Sequence, residues 1–213
     1  MGVVTMALGT PPSGRWTLDD LLRLPEDANR YEIVDGRLLV TPPPAIVHAV
    51  AVARLVRLLQ DSAAAGFIVL PAGSGVRMGR SVYVPDAVVI DAAPDLTQQV
   101  LDATDVRLAV EVLSPSNRTT DLVTKRADYA AAGIPLYWVI DPEIPSLTVL
   151  LLEEGAYVED AVIRGCDPSV ATHPFAVTVR PSALLQPPGG RQRSPASVLG
   201  SVSDICSVLL SRR

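Results

Sequence analysis

The chain has 213 residues, enough for one sizeable hydrophobic core and too few for two ordinary domains with a linker. Hydrophobic residues make up 48% and charged residues 19%, which is the composition of a globular chain and excludes the disordered class. The net charge of −5 argues against tight non-specific nucleic-acid binding, which needs a dense basic surface to displace counterions.

Any nucleic-acid contact is therefore local. Arg54, Arg57, Arg77, Arg80, Arg118, Lys125 and Arg126 are its candidates, with arginines scattered over solvated faces as the alternative. Charge or proline cuts every apolar stretch short of the roughly 18 residues that span a bilayer, so no membrane helix is expected. No basic n-region stands ahead of Arg15, which leaves the cytoplasm as the expected compartment. Cys166 and Cys206 belong to no CxxC pair and are expected to be two reduced thiols. Residues 16–186 read as one domain between a flexible N-terminal segment, 1–15, and a linker with C-terminal tail, 187–213.

Thr17-Leu18-Asp19-Asp20 is a capping box that predicts a short helix from Leu18 to Leu24. Arg30 to Val34 and Arg37 to Val40, joined by Asp35-Gly36, predict a hairpin with a type I′ turn. Three prolines then break the chain. Ala45 to Leu59 places Val47, Ala51, Leu55, Leu58 and Leu59 on one helical stripe, with His48 near the helix start. Strands follow at Phe67 to Leu70, at Val82 to Ile90 and, after the polar stretch Asp91 to Asp105, at Arg107 to Leu113. Asp121 to Ala132 is a helix stopped by Gly133, and Leu136 to Ile140 is an apolar strand that completes a parallel βαβ crossover. Leu147 to Leu152, Tyr157 to Ile163 and Phe175 to Val179 are further strands, and Val198 to Leu210 is a short helix or disorder.

Two acids stand out because they lie in runs that read as buried strands. Asp86 opens Ala87-Val88-Val89-Ile90, and Glu111 sits inside Leu108 to Leu113. A carboxylate that loses water on folding needs a proton, a cation or a metal as partner. With Lys125 on the following helix, the pair suggests a divalent metal site. Blander readings stand beside it. Asp86 can be a strand-entry residue bonded to turn amides, and Glu111 with Lys125 a plain ion pair. Lys125 with Asp121 can be a solvated i,i+4 pair, Glu32 an exposed hairpin residue and His48 a hydrogen-bonded core histidine.

The order of segments is similar to the Uma2-like family, a branch of the PD-(D/E)xK nuclease superfamily. The matching residues are Tyr31 to Gly36, Val84-Pro85-Asp86, Val110 to Ser116, then Asp121, Lys125 and Tyr129, and finally Gly133 to Pro142, spanning Trp16 to Leu152. The resemblance implies an α/β fold with a mixed central sheet flanked by helices, and Mg²⁺- or Mn²⁺-dependent hydrolysis of DNA. By that analogy Asp86 bridges the metal ions, Glu111 and the backbone carbonyl of Val112 complete a hard oxygen site, and Lys125 orients or helps deprotonate the attacking water. Glu32 would be an outer metal or water ligand, with His48 nearby as an accessory. Leu113 departs from the pattern, since it holds the position of the lysine in (D/E)xK; Lys125, moved to the next helix, is the matching amine. A homodimer fits double-strand cutting. The competing expectation is a catalytically inactive module of the same fold that binds nucleic acid or a protein partner.

Overall fold

Thr17 caps α1, Leu18–Leu21, through its hydroxyl, and the Asp20 carboxylate answers on the Thr17 backbone, so the capping box forms as predicted. The computed structural model describes residues 11, 14–92, 97–115 and 117–185. The segment 1–15 lies mostly outside the described residues, and the tail 187–213, with the proposed helix at Val198, wholly so.

Asp35 and Gly36 both take positive φ, +47° and +77°, and join β1, Arg30–Val34, to β2, Arg37–Thr41, in a two-residue hairpin. The hairpin belongs to a five-stranded sheet in the order β2-β1-β5-β4-β7. Its other members are β4, Gly75–Met78, β5, Ser81–Tyr83, and β7, Val100–Asp102. A six-stranded mixed sheet has the order β11-β10-β9-β8-β6-β3. It comprises β3, Phe67–Pro71, β6, Ala87–Asp91, β8, Val106–Val112, β9, Leu136–Asp141, β10, Ser146–Glu153, and β11, Ala156–Arg164. Only β8 and β9 of this sheet run parallel, as expected for strands joined through a helix. A small sheet pairs β12, Ser169–Ala171, with β13, Val177–Val179.

The central strands of the six-stranded sheet, β6, β8 and β9, are buried on both faces. Side chains alternate along each strand, so Leu108, Val110 and Val112 of β8 and Trp138 and Ile140 of β9 meet α2, Ile46–Ser62, together with β12 and β13. Ala109, Tyr137 and Val139 point the other way, toward α3, Arg126–Ala131, and the five-stranded sheet. Each buried Leu or Val contributes about 1.5–3 kcal/mol to this arrangement.

Four sequence expectations change. Val82 to Ile90 is two strands in two sheets, because Pro85 lacks the N–H that would continue a ladder, and Val84-Pro85-Asp86 carries the chain from one sheet to the other. The stripe on α2 runs through His48, Ala51, Leu55, Val56 and Leu59, while Val47 is exposed. The helix after Asn117 opens with a π-helical turn, Thr120–Lys125, before α3. Cys166 is disulfide-bonded and not a reduced thiol, and Cys206 lies outside the described residues. Among the described residues no helix is long and apolar enough to cross a membrane.

Gly133 ends α3 at φ +80° with open space where a Cβ would stand. Gly133→Ala should therefore cost about 1 kcal/mol through backbone strain alone, read as a lower urea midpoint with an unchanged denaturant slope.

Candidate active site

Alternation on β8 decides where Glu111 goes. It shares parity with Ala109, so its carboxylate leaves the sheet toward the π-turn and α3, into a region sealed by Tyr83, Tyr129 and Tyr137. There it is fully buried. Its Oε1 accepts hydrogen bonds from the Lys125 ammonium, at 2.9 Å, and from the Tyr129 hydroxyl, at 2.8 Å, while Oε2 is buried without a hydrogen-bond partner. Burial pushes the Glu111 carboxyl up from 4.5 to about 8, with Lys125 opposing that shift and Asp121 adding to it.

Lys125 is 1% exposed and faces three carboxylates. Its Nζ lies 2.9 Å from Glu111, 3.1 Å from Glu32 and 3.4 Å from Asp121. Burial opposes the charge on the amine, but Glu111, Glu32 and Asp121 outweigh it and hold the ammonium above its usual range. Glu32, on β1, is 1% exposed and also accepts from the Val84 amide at 2.9 Å, so it is no exposed hairpin residue. Nor is the Asp121–Lys125 pair solvated, since both residues are buried. Burial raises the Asp121 carboxyl from 3.8 to about 6, against the pull of Lys125.

Asp86 leaves the Pro85 linker with its carboxylate fixed from three sides. Oδ1 accepts from the Arg30 guanidinium at 3.0 Å, and Oδ2 accepts from the Val112 amide at 2.8 Å. His48 Nε2 lies 3.1 Å from the same Oδ2 and 2.9 Å from the Val112 carbonyl. Two acceptors on one ring nitrogen require the proton on Nε2, which leaves Nδ1 buried without a partner. Burial works against the Asp86 charge, yet His48 and Arg30 hold its carboxyl below the usual range. Burial likewise opposes charge on His48, and the Asp86 hydrogen bond carries its pKa upward.

All the residues singled out in the sequence, Glu32, His48, Asp86, Glu111, Val112 and Lys125, thus belong to one connected network. Arg30 and Asp121 join it without having been singled out as ligands. Arg30 carries no sequence signal beyond its place at the start of the hairpin, whereas Asp121, four residues before Lys125, carries the helical spacing. Among the described residues no three His, Cys, Asp or Glu side chains are grouped to hold a metal. The candidate oxygen set is accordingly two carboxylates, Asp86 and Glu111, with the Val112 carbonyl. One atom, His48 Nε2, already lies within about 3 Å of both an Asp86 oxygen and that carbonyl, so these two converge.

Of the candidate basic residues, Lys125 is buried and the arginines are engaged one by one. Arg57, Arg77, Arg80 and Arg118 are paired with Asp61, Asp102, Asp35 and Asp141, and Arg54 and Arg126 donate to main-chain carbonyls.

The family model described as "Uma2: Putative restriction endonuclease" matches residues 18–182. The chain belongs to the Uma2 family. Its sheets and helices also superpose on a solved structure titled as "a putative nuclease belonging to DUF820 from Anabaena variabilis ATCC 29413". That match has a TM-score of 0.65 at 19% identity and covers 79% of this chain and 97% of the other. The mixed α/β architecture expected from the Uma2 resemblance is therefore the observed fold, shared with that structure. No curated protein matches the chain.

Proposed function

We propose that this Uma2 chain is a Mg²⁺- or Mn²⁺-dependent endonuclease that hydrolyses DNA phosphodiester bonds. One observation carries the reading: four buried carboxyl groups, Glu32, Asp86, Glu111 and Asp121, face two fixed positive charges, Arg30 and Lys125. With all four ionised, the charge still lacking is that of one divalent cation. Hard oxygens suit Mg²⁺ or Mn²⁺, and Glu111 Oε2, buried and unbonded, is available to such an ion. Asp86, Glu111 and the Val112 carbonyl would hold it, with Glu32 behind them.

When bound, the ion would neutralise the phosphate, acidify a water and stabilise the leaving alkoxide. The chain's own groups do the rest. Arg30 and the Val112 amide keep Asp86 ionised and fixed. The Tyr129 hydroxyl and Lys125 occupy Glu111 Oε1 and so leave Oε2 free. Lys125 Nζ, a fully protonated ammonium, would orient the attacking water as a hydrogen-bond donor and hold positive charge beside it. His48 Nε2–H pins the Asp86 oxygen and the Val112 carbonyl, two of the oxygens that would hold the cation. A homodimer with two sites related by a two-fold axis would cut both strands, and sedimentation of the purified chain checks it.

Arginines engaged with acids and carbonyls favour a second reading, a module of this fold that binds a partner without cutting. Calorimetry with Mg²⁺ and Mn²⁺, beside cleavage of single- and double-stranded DNA, separates the two. Metal binding without cleavage supports the module, and absence of both removes the nuclease.

The raised carboxyls give a further test. Glu111 titrates near 8 in the fold instead of 4.5, and Asp121 near 6 instead of 3.8, so the folded chain holds more protons than the unfolded one across that window. Stability without metal should fall as pH rises from about 4.5 to about 8. Mg²⁺ needs these groups ionised, so its increase of the thermal midpoint should be larger near pH 8 than near pH 5. Equal increases at both ends of the window would remove the metal from this site.

A further inference from the structure

We propose that Asp121 and Tyr137 are positioning residues that fix the direction of the Lys125 amine by shaping the π-turn that carries it. The use made of that amine rests on the nuclease reading above; its placement does not.

The chain has one lysine and seventeen arginines. Arginine offers a planar fork suited to one carboxylate, whereas an ammonium is a compact charge with three protons that can reach three acceptors. The single lysine stands where Glu111, Glu32 and Asp121 converge.

Asp121, Lys125 and Tyr129 recur every four residues. On an α-helix of 3.6 residues per turn such a series drifts around the axis by about 40° per step. A turn with bonds reaching five residues along takes up more residues and offsets that drift. The outcome is visible in the burial. Asp121, Lys125 and Tyr129 are all turned inward, at 0%, 1% and 0% exposure, while Leu122 and Val123 between them stand at 38% and 63%. The wide turn displaces carbonyls from their usual partners, and the Tyr137 hydroxyl, reaching across from β9, donates to the Asp121 main-chain carbonyl at 3.0 Å.

The Asp121 side chain has no other visible task. Among the described residues its carboxylate has one polar partner, the Lys125 ammonium at 3.4 Å. A buried carboxylate left so is costly unless its field acts on a charge, and that charge is the Lys125 ammonium.

Because Lys125 is the only lysine of the 213-residue chain, reductive methylation of this chain with formaldehyde and cyanoborohydride labels it and the N-terminal amine alone. Peptide mass spectrometry then reads its placement. Lys125 should be protected in the wild type and in the control Tyr157→Phe, whose hydroxyl serves the Ile134 carbonyl elsewhere in the same tyrosine cluster. It should be methylated roughly tenfold faster in Tyr137→Phe and in Asp121→Asn, and protection should return in Asp121→Glu. Where DNA is cut, kcat should fall about 100-fold in the first two variants with KM unchanged. Protection in Tyr137→Phe and Asp121→Asn equal to that in Tyr157→Phe overturns the proposal, whether or not the protein cuts DNA. Lost protection in a protein whose wild type cuts nothing upholds the positioning and removes the nuclease reading alone.

Discussion

Glu111→Gln should lower metal-dependent cleavage of DNA by about 10³-fold or more while leaving the fold in place. The reason is local. The glutamine keeps the shape of the side chain and an oxygen for Lys125 and Tyr129, but removes one negative charge from a set that, by our reading, lacks one divalent cation. With that charge gone, the site of the ion holds one carboxylate where two are needed, and several kcal/mol of charge stabilisation at the phosphate go with it. Calorimetry should show Mg²⁺ affinity falling in parallel. The same substitution relieves an acid that burial already drives toward its neutral form, so thermal stability near pH 8 in the absence of metal should rise or hold. A variant that cuts DNA as fast as the wild type would sink the role of Glu111. One that loses cleavage only because it unfolds would show it by circular dichroism.

The sequence carries Glu111 unusually well, and the physics says why. A charged residue in Leu-Ala-Val-Glu-Val-Leu has no face of the strand on which to escape burial, so a partner had to exist before any coordinates were known. The hairpin was legible for a comparable reason, since Asp35-Gly36 can take the two positive φ values that a two-residue turn demands. Gly133 announced the end of α3 in the same way.

What stayed hidden depended on long-range pairing. Val82 to Ile90 reads as a single strand, and only the partners of β5 and β6 reveal that Pro85 passes the chain between sheets. β7 is three residues in a polar stretch, stabilised by lying parallel to β4, and nothing in its own residues requires a strand. Thr120, Asp121, Val123 and Thr124 make the π-turn a weak helix former, but nothing in these residues specifies a wider turn; the Tyr137 hydroxyl that meets the Asp121 carbonyl comes from β9, sixteen positions away. Arg30 looks like any arginine at a strand start until β1 is laid beside β5, which brings it to Asp86 from 56 positions away. Sequence reasoning thus found the buried acids and the lysine that answers them, and missed Arg30, which long-range pairing alone brings to Asp86.

Lys125→Met is expected to be the most destabilising single change in the site. The methionine fills a similar volume and keeps the packing against Tyr83, over whose ring the amine lies at 5.5 Å, so the loss is one of charge and not of space. Removing the cation strands Glu32, Glu111 and Asp121 together in a region closed to water. Breaking a buried pair in this manner costs about 3–5 kcal/mol, a large share of the stability of an ordinary domain. Protonation offers the variant an escape, because each carboxyl that becomes neutral removes part of the repulsion. The deficit relative to wild type should accordingly be greatest near pH 8 and shrink toward about pH 5, and urea unfolding at the two values measures it. Combining the change with Glu111→Gln should recover part of the lost stability, since the two residues share one interaction and their effects cannot add. If Lys125→Met unfolds at the same urea concentration as wild type across that range, the amine is not the counter-charge of these acids, and the account of the site built on it fails.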